Sequence, residues 1–112
     1  MDCIFCKIIS GDIPSNKVYE DDKIVAFYDL QPQAPVHVLI IPKEHIENVD
    51  GITQENSAVI AYIFSKIPSI AKTLNLENGY RVVTNCKSDG CQSVYHIHFH
   101  LMGGKQLDGQ MC

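Results

Sequence analysis

The run His96-Ile97-His98-Phe99-His100 constrains this chain more than any other stretch. Side chains of a β-strand alternate between faces. A strand here therefore sends three imidazoles to one side and two large apolar groups to the other. Alternate residues stand roughly 6–7 Å apart. Ile97 and Phe99 can seal a core while the histidine face lines a site. Imidazole titrates near neutrality and serves as base, acid, nucleophile or metal ligand. Buried imidazoles need partners, so three on one face are poorly explained by packing alone. The triplet by itself leaves metal binding and nucleophilic catalysis both open.

The rest of the chain reads as one domain spanning 1–112. With 46 % hydrophobic residues it can fill a core. Its apolar runs, such as Val38-Leu39-Ile40-Ile41, are far shorter than the ~20 residues of a membrane-spanning helix. The formal charge of −4 argues against broad binding to a nucleic-acid backbone. Met1-Asp2-Cys3-Ile4-Phe5-Cys6 has neither a basic region nor a small-residue cleavage site, so no signal peptide is read. The five cysteines at 3, 6, 86, 91 and 112 make a poor disulfide framework. The expected location is therefore the reducing cytoplasm. Cys3-x-x-Cys6 is a metal or redox candidate. Cys86, Cys91 and Cys112 read as bystanders.

Hydrophobic spacing predicts an α+β fold: a mostly antiparallel sheet with one long helix on one face. Residues 4–10 form a helical turn stopped by Gly11. Lys17–Glu20 and Lys23–Asp29 form a hairpin about Asp21-Asp22. The prolines at 32 and 35 exclude a central strand there. Val36–Ile41 is a buried strand ended by Pro42. Thr53 caps a helix whose first turn holds Glu55. Ile60, Ile63, Phe64, Ile67, Ile70, Ala71 and Leu74 form its apolar stripe. Pro68 kinks this helix or splits it in two. Tyr80–Asn85 and Val94–Met102 are the last strands. Between them, the polar loop 85–93 can aim N–H groups and the Ser93 hydroxyl at an anion.

The segment Gln92-Ser93-Val94-Tyr95-His96-Ile97-His98-Phe99-His100-Leu101 resembles the signature of the histidine triad superfamily. The likeness extends to Cys-Ile-Phe-Cys-Lys-Ile-Ile from residue 3, Tyr19-Glu20-Asp21-Asp22 and Phe27-Tyr28-Asp29. It also covers Pro32-Gln33-Ala34-Pro35-Val36-His37 and Ile41-Pro42-Lys43-Glu44-His45-Ile46. Together these resemble the nucleotide-binding, phosphoramidase branch. The resemblance implies a homodimer with a continuous sheet, a purine-nucleotide pocket and hydrolysis of nucleoside phosphoramidates. It implies that His98 is the nucleophile, with one ring nitrogen pinned by a backbone carbonyl near the third histidine. His37, His100 and Ser93 are then the phosphate and leaving-group contacts. Asp29 matches the ribose carboxylate. Phe5, Ile8, Phe27 and Leu30 match the purine walls, with Tyr28, Asn85 and Gln92 as further substrate contacts.

Cys3, Cys6, His45 and His96 could complete a Cys2His2 tetrahedron. Some bacterial members of the superfamily carry such a zinc. It would be structural, because four protein ligands leave no open position. Two features depart from the branch. Cys91 stands where glycine is usual, and residues 107–112 replace the usual Trp-Pro-Pro-Gly ending. Three other readings compete: a non-catalytic nucleotide-binding dimer, a zinc hydrolase using the triplet as ligands, and a dinucleoside polyphosphate hydrolase.

Overall fold

A computed structural model describes residues 3–110; Cys112 lies outside the described residues. The elements are helix α1 (Ile4–Ser10), strands β1 (Lys17–Glu20), β2 (Ile24–Tyr28) and β3 (Val36–Pro42), helix α2 (Ser57–Thr73), and strands β4 (Tyr80–Val83) and β5 (Phe99–Gly103). A 3-10 turn at Val49–Gly51 precedes α2. The strands form one antiparallel sheet in the order β1-β2-β3-β5-β4.

Period-two alternation divides the sheet into two faces. Ile24, Ala26, Val38, Ile40, Phe99 and Leu101 pack with Ile63, Ile67, Ile70 and Ala71 of α2. Val25, Phe27, Leu39 and Ile41 point the other way and pack with Phe5 and Ile8 of α1. The short helix thus covers part of the second face. Gly11 ends it at φ 87°, a left-handed conformation that glycine adopts without a side-chain penalty. In the register of β3 and β5, His37 opposes Met102 and Leu39 opposes His100. The histidines share the α1 face.

Several sequence expectations are corrected. The long helix starts at Ser57, four residues beyond Thr53. Thr53 N–H donates to Asn56 Oδ1 (2.7 Å) and Asn56 N–H donates to Thr53 Oγ1 (3.3 Å). These side chains serve the turn before the helix, and Glu55 lies in that turn. The helix is not split: it runs through Pro68. Exposed Pro68 meets solvent, so its ring costs a backbone bond without disturbing the buried stripe. Ile60 and Leu74 are half-buried and Phe64 is exposed, which narrows that stripe. The ladders of β4 and β5 are shorter than expected. His96 and His98 precede the paired part of β5, yet the alternation persists, with Ile97 in the α2 core.

Candidate active site and metal centre

Main-chain groups assign the proton on each key imidazole. Buried His98 has its Nδ1 2.8 Å from the His96 carbonyl. A carbonyl only accepts, so Nδ1 carries the proton and Nε2 keeps its lone pair. The pinning carbonyl belongs to the first histidine of the triplet, not to one near the third as the resemblance implied. Thr84 Oγ1 donates to the His98 carbonyl at 2.8 Å and steadies the same residue. The Phe5 ring meets the His98 ring edge to face, at 5.2 Å between centres. Burial pushes the His98 imidazole below its ordinary range, against the opposing pull of the His96 carbonyl. The ring is therefore neutral at pH 7, with one nitrogen available as a nucleophile.

His37 and His100 form the next layer. His37 Nε2 lies 2.9 Å from His100 Nδ1 and 3.4 Å from Asp29 Oδ2. Burial lowers the His37 pKa, outweighing the attraction of Asp29. Its contact with Asp29 is thus a weak hydrogen bond from a neutral ring rather than an ion pair. His100 is pushed down to about 4, chiefly by burial and then by the neighbouring His98 and His37.

The second cluster joins the segment before α1, the segment after β3 and the start of the triplet. Donor atoms of Cys3, Cys6, His45 and His96 all lie within 4.8 Å of one another. Nδ1 of His96 is 3.4 Å from Cys3 Sγ, 3.6 Å from Cys6 Sγ and 3.1 Å from His45 Nδ1. Cys6 Sγ is 3.4 Å from His45 Nδ1. Zinc bonds to nitrogen and sulfur put tetrahedral neighbours roughly 3.3–3.8 Å apart. The set therefore fits zinc with little rearrangement. The surroundings agree: His96 Nε2 donates to the Pro42 carbonyl at 2.8 Å, which leaves the Nδ1 lone pair facing the thiols. Asp29, His37 and His100 also lie close enough to suggest a metal site. There the surroundings disagree, because the Gln33 N–H donates to His37 Nδ1 at 2.9 Å and leaves the proton on Nε2, the nitrogen a metal would need.

A family model for the HIT domain matches residues 10–107. The chain belongs to the HIT family. It is 49 % identical over 111 residues to the 14 kDa zinc-binding protein of Zea mays, covering 94 % of this chain and 84 % of that one. It is 46 % identical over 111 residues to adenylylsulfatase HINT1 of Arabidopsis thaliana, covering 94 % and 73 %. The structure of a histidine triad protein from Clostridium difficile superposes with a TM-score of 0.95 at 46 % identity, covering 99 % of this chain and 97 % of the other.

This HIT domain gathers some of the expected site residues and leaves others apart. Phe5, Ile8 and Phe27 are buried in one cluster beside His98. Tyr28 is exposed and Leu30 is 95 % exposed, so Leu30 adds no wall to that cluster. Asp29 Oδ1 accepts from the Gln31 N–H at 2.8 Å while Oδ2 faces His37. Asn85 donates to the Gly90 carbonyl at 2.7 Å and closes the loop before the triplet. Buried Gln92 anchors that loop. It accepts from the Lys87 N–H at 2.9 Å and donates to the carbonyls of Glu47 and Val94 at 2.7 and 3.0 Å. Ser93 is exposed and shares a recess with Cys3, His45 and Glu47; among the described residues no hydrogen bond joins it to His98. Three positioning groups escaped the sequence reading: the Pro42 carbonyl, the Thr84 hydroxyl and the Gln33 N–H. Two are main-chain atoms, which leave no mark in composition or spacing. Thr84 reads as an ordinary strand-end residue.

Proposed function

We propose that this HIT protein hydrolyses purine nucleoside phosphoramidates through a nucleotidyl intermediate on His98. The observation that carries the reading is the buried, neutral His98 with Nδ1–H held by the His96 carbonyl at 2.8 Å. The Nε2 lone pair bonds to the α-phosphorus as the P–N bond to the amine breaks. The amine takes a proton through Ser93, which is replenished from solvent. Water then attacks phosphorus, releasing the nucleoside monophosphate and restoring His98. His100 donates to the phosphoryl oxygens through Nε2–H while His37 holds its Nδ1 from behind, Asp29 binds the ribose, and Phe5, Ile8 and Phe27 flank the base. Asn85 and Gln92 support the substrate pocket by fixing the loop before the triplet, exposed Tyr28 borders it, and solvent-facing Leu30 stands outside it. Bound through Cys3, Cys6, His45 and His96, zinc supplies structure rather than Lewis acidity at the phosphate. The relative from Arabidopsis is named an adenylylsulfatase, which favours adenylyl sulfate as a second substrate for the same nucleophile.

The active unit is a homodimer. Strand β4 is an edge strand with no fully buried residue, so its free hydrogen-bonding side can pair with a second copy. Sedimentation at micromolar concentration that finds only monomer would contradict this part.

The test of the mechanism is adenosine 5′-phosphoramidate turnover followed by acid quench. Label should be trapped on His98, and His98→Ala should abolish turnover while His98→Asn keeps nucleotide affinity. Near-normal turnover by His98→Ala overturns the mechanism. Running adenylyl sulfate beside the phosphoramidate ranks the two leaving groups.

A further inference from the structure

The turn between β2 and β3 is tied to one histidine. Asp29 N–H donates to the His37 carbonyl at 3.0 Å. Asp29 Oδ1 accepts from the Gln31 N–H, and the Gln33 side chain donates to the Gln31 carbonyl at 3.3 Å. The turn then delivers the Gln33 main-chain N–H to His37 Nδ1 at 2.9 Å. An amide N–H is only a donor, so Nδ1 must be the unprotonated nitrogen. Protonating it would set two N–H groups against each other inside a buried site.

The consequence runs on to the next ring. A neutral His37 with Nδ1 accepting has its proton on Nε2, which lies 2.9 Å from His100 Nδ1. His100 Nδ1 must then accept, and the His100 proton sits on Nε2. We propose that the Gln33 main-chain amide is a positioning group for the reaction: it locks His37 and His100 into one uncharged hydrogen-bond chain, with both protons on Nε2. His37 then acts as a neutral donor and never as an imidazolium acid. The other titratable groups facing this chain are Asp29, from the turn, and His98, whose ring centre is 5.0 Å from that of His100. Neither supplies an N–H that could replace the one from Gln33.

The inference rests on the catalytic reading only for its importance to turnover; the tautomers themselves are independent of it. Nitrogen-15 NMR of the full chain reads them directly. At pH 7, His37 Nδ1 should show the shift of an unprotonated ring nitrogen and Nε2 that of a protonated one. Gln33→Pro removes the N–H, whereas Gln33→Ala keeps it. In Gln33→Pro, the fixed tautomer should be lost, so His37 Nδ1 should move toward the shift of a protonated ring nitrogen, and the pH profile of turnover should shift with it. In Gln33→Ala the tautomer should remain as in the parent chain. A parent spectrum with His37 protonated on Nδ1 overturns the inference. So does a folded Gln33→Pro variant whose His37 spectrum is unchanged. If Gln33→Pro does not fold, the parent spectrum decides alone. Correct tautomers in a protein that cleaves no phosphoramidate would sink the substrate reading and leave this one standing.

Discussion

The chemistry of His37, His96 and His98 is set by the one backbone atom that each ring meets. A carbonyl at Nδ1 leaves the His98 Nε2 lone pair able to act as the nucleophile proposed. A carbonyl at Nε2 leaves the His96 Nδ1 lone pair able to ligate a metal. The depressed His37 and His100 pKa values have a consequence for stability. The unfolded chain binds protons at these rings below about pH 6.5, whereas the fold refuses them until His100 reaches about 4. Their contribution is therefore fully present above pH 6.5 and is lost as pH falls through that window. The urea midpoint should drop between pH 7 and pH 4.5, and less steeply in His100→Gln. An equal slope in that variant would assign the loss to other groups. Cys91 is a second residue-scale case. It occupies the left-handed region at φ 61° with its side chain exposed. Cβ strain there is about 1–2 kcal/mol, offset partly by glycine's greater unfolded-state entropy. Cys91→Gly should raise stability by roughly 0.5–1 kcal/mol, read from the urea midpoint.

Among the elements, α2 carries the larger core and contains one misfit. Ile63, Ile67 and Ile70 are buried against the sheet at helical spacing. Pro68 stands inside the helix, so the Phe64 carbonyl has no N–H four residues on. An interior proline is about 3 kcal/mol worse than alanine in a helix. Pro68 is exposed, so Pro68→Ala should stabilise the protein by roughly 1–3 kcal/mol without repacking. Thermal unfolding measures it; a lower midpoint would show that the proline has a packing role. The hairpin end of the sheet is pinned to the same helix. Asp21 accepts from Tyr62 Oη at 2.5 Å, Tyr19 Oη at 2.7 Å and the N–H groups of Lys23 and Ile24. Burial opposes its charge, but these four donors outweigh it and hold the carboxyl well below the usual carboxylate range.

At the scale of the whole molecule, the Cys2His2 cluster joins three distant stretches of chain. Cys3 and His96 are 93 residues apart in sequence, and Cys6 and His45 are 39 apart. A ligand that binds the fold but not the unfolded chain adds about 2.7 kcal/mol at one hundred times its Kd. For a domain of this size that is roughly 10–20 °C in Tm. Metal analysis should find one zinc per chain. Chelation, or Cys3→Ser with Cys6→Ser, should lower Tm by that order. A preparation grown in zinc that carries no metal, or a Tm indifferent to chelator, would remove zinc from the account.

The sequence by itself determined the two faces. Period two in His96-Ile97-His98-Phe99-His100 put the imidazoles on one side and the core residues on the other, and packing kept that partition even where pairing fails. The apolar stripe of α2, the hairpin about Asp21 and the four sulfur and nitrogen donors were legible for the same reason: residue type and spacing carry them. Tertiary structure alone decided which nitrogen of His37, His96, His98 and His100 holds the proton. That choice rests on the carbonyls of His96 and Pro42 and on the Gln33 amide, atoms that every sequence contains. It also decided that Gln92 anchors a loop, that Leu30 faces solvent, and that α2 starts beyond Thr53. Burial and hydrogen-bond partners depend on what the rest of the chain brings alongside, and no local pattern encodes that.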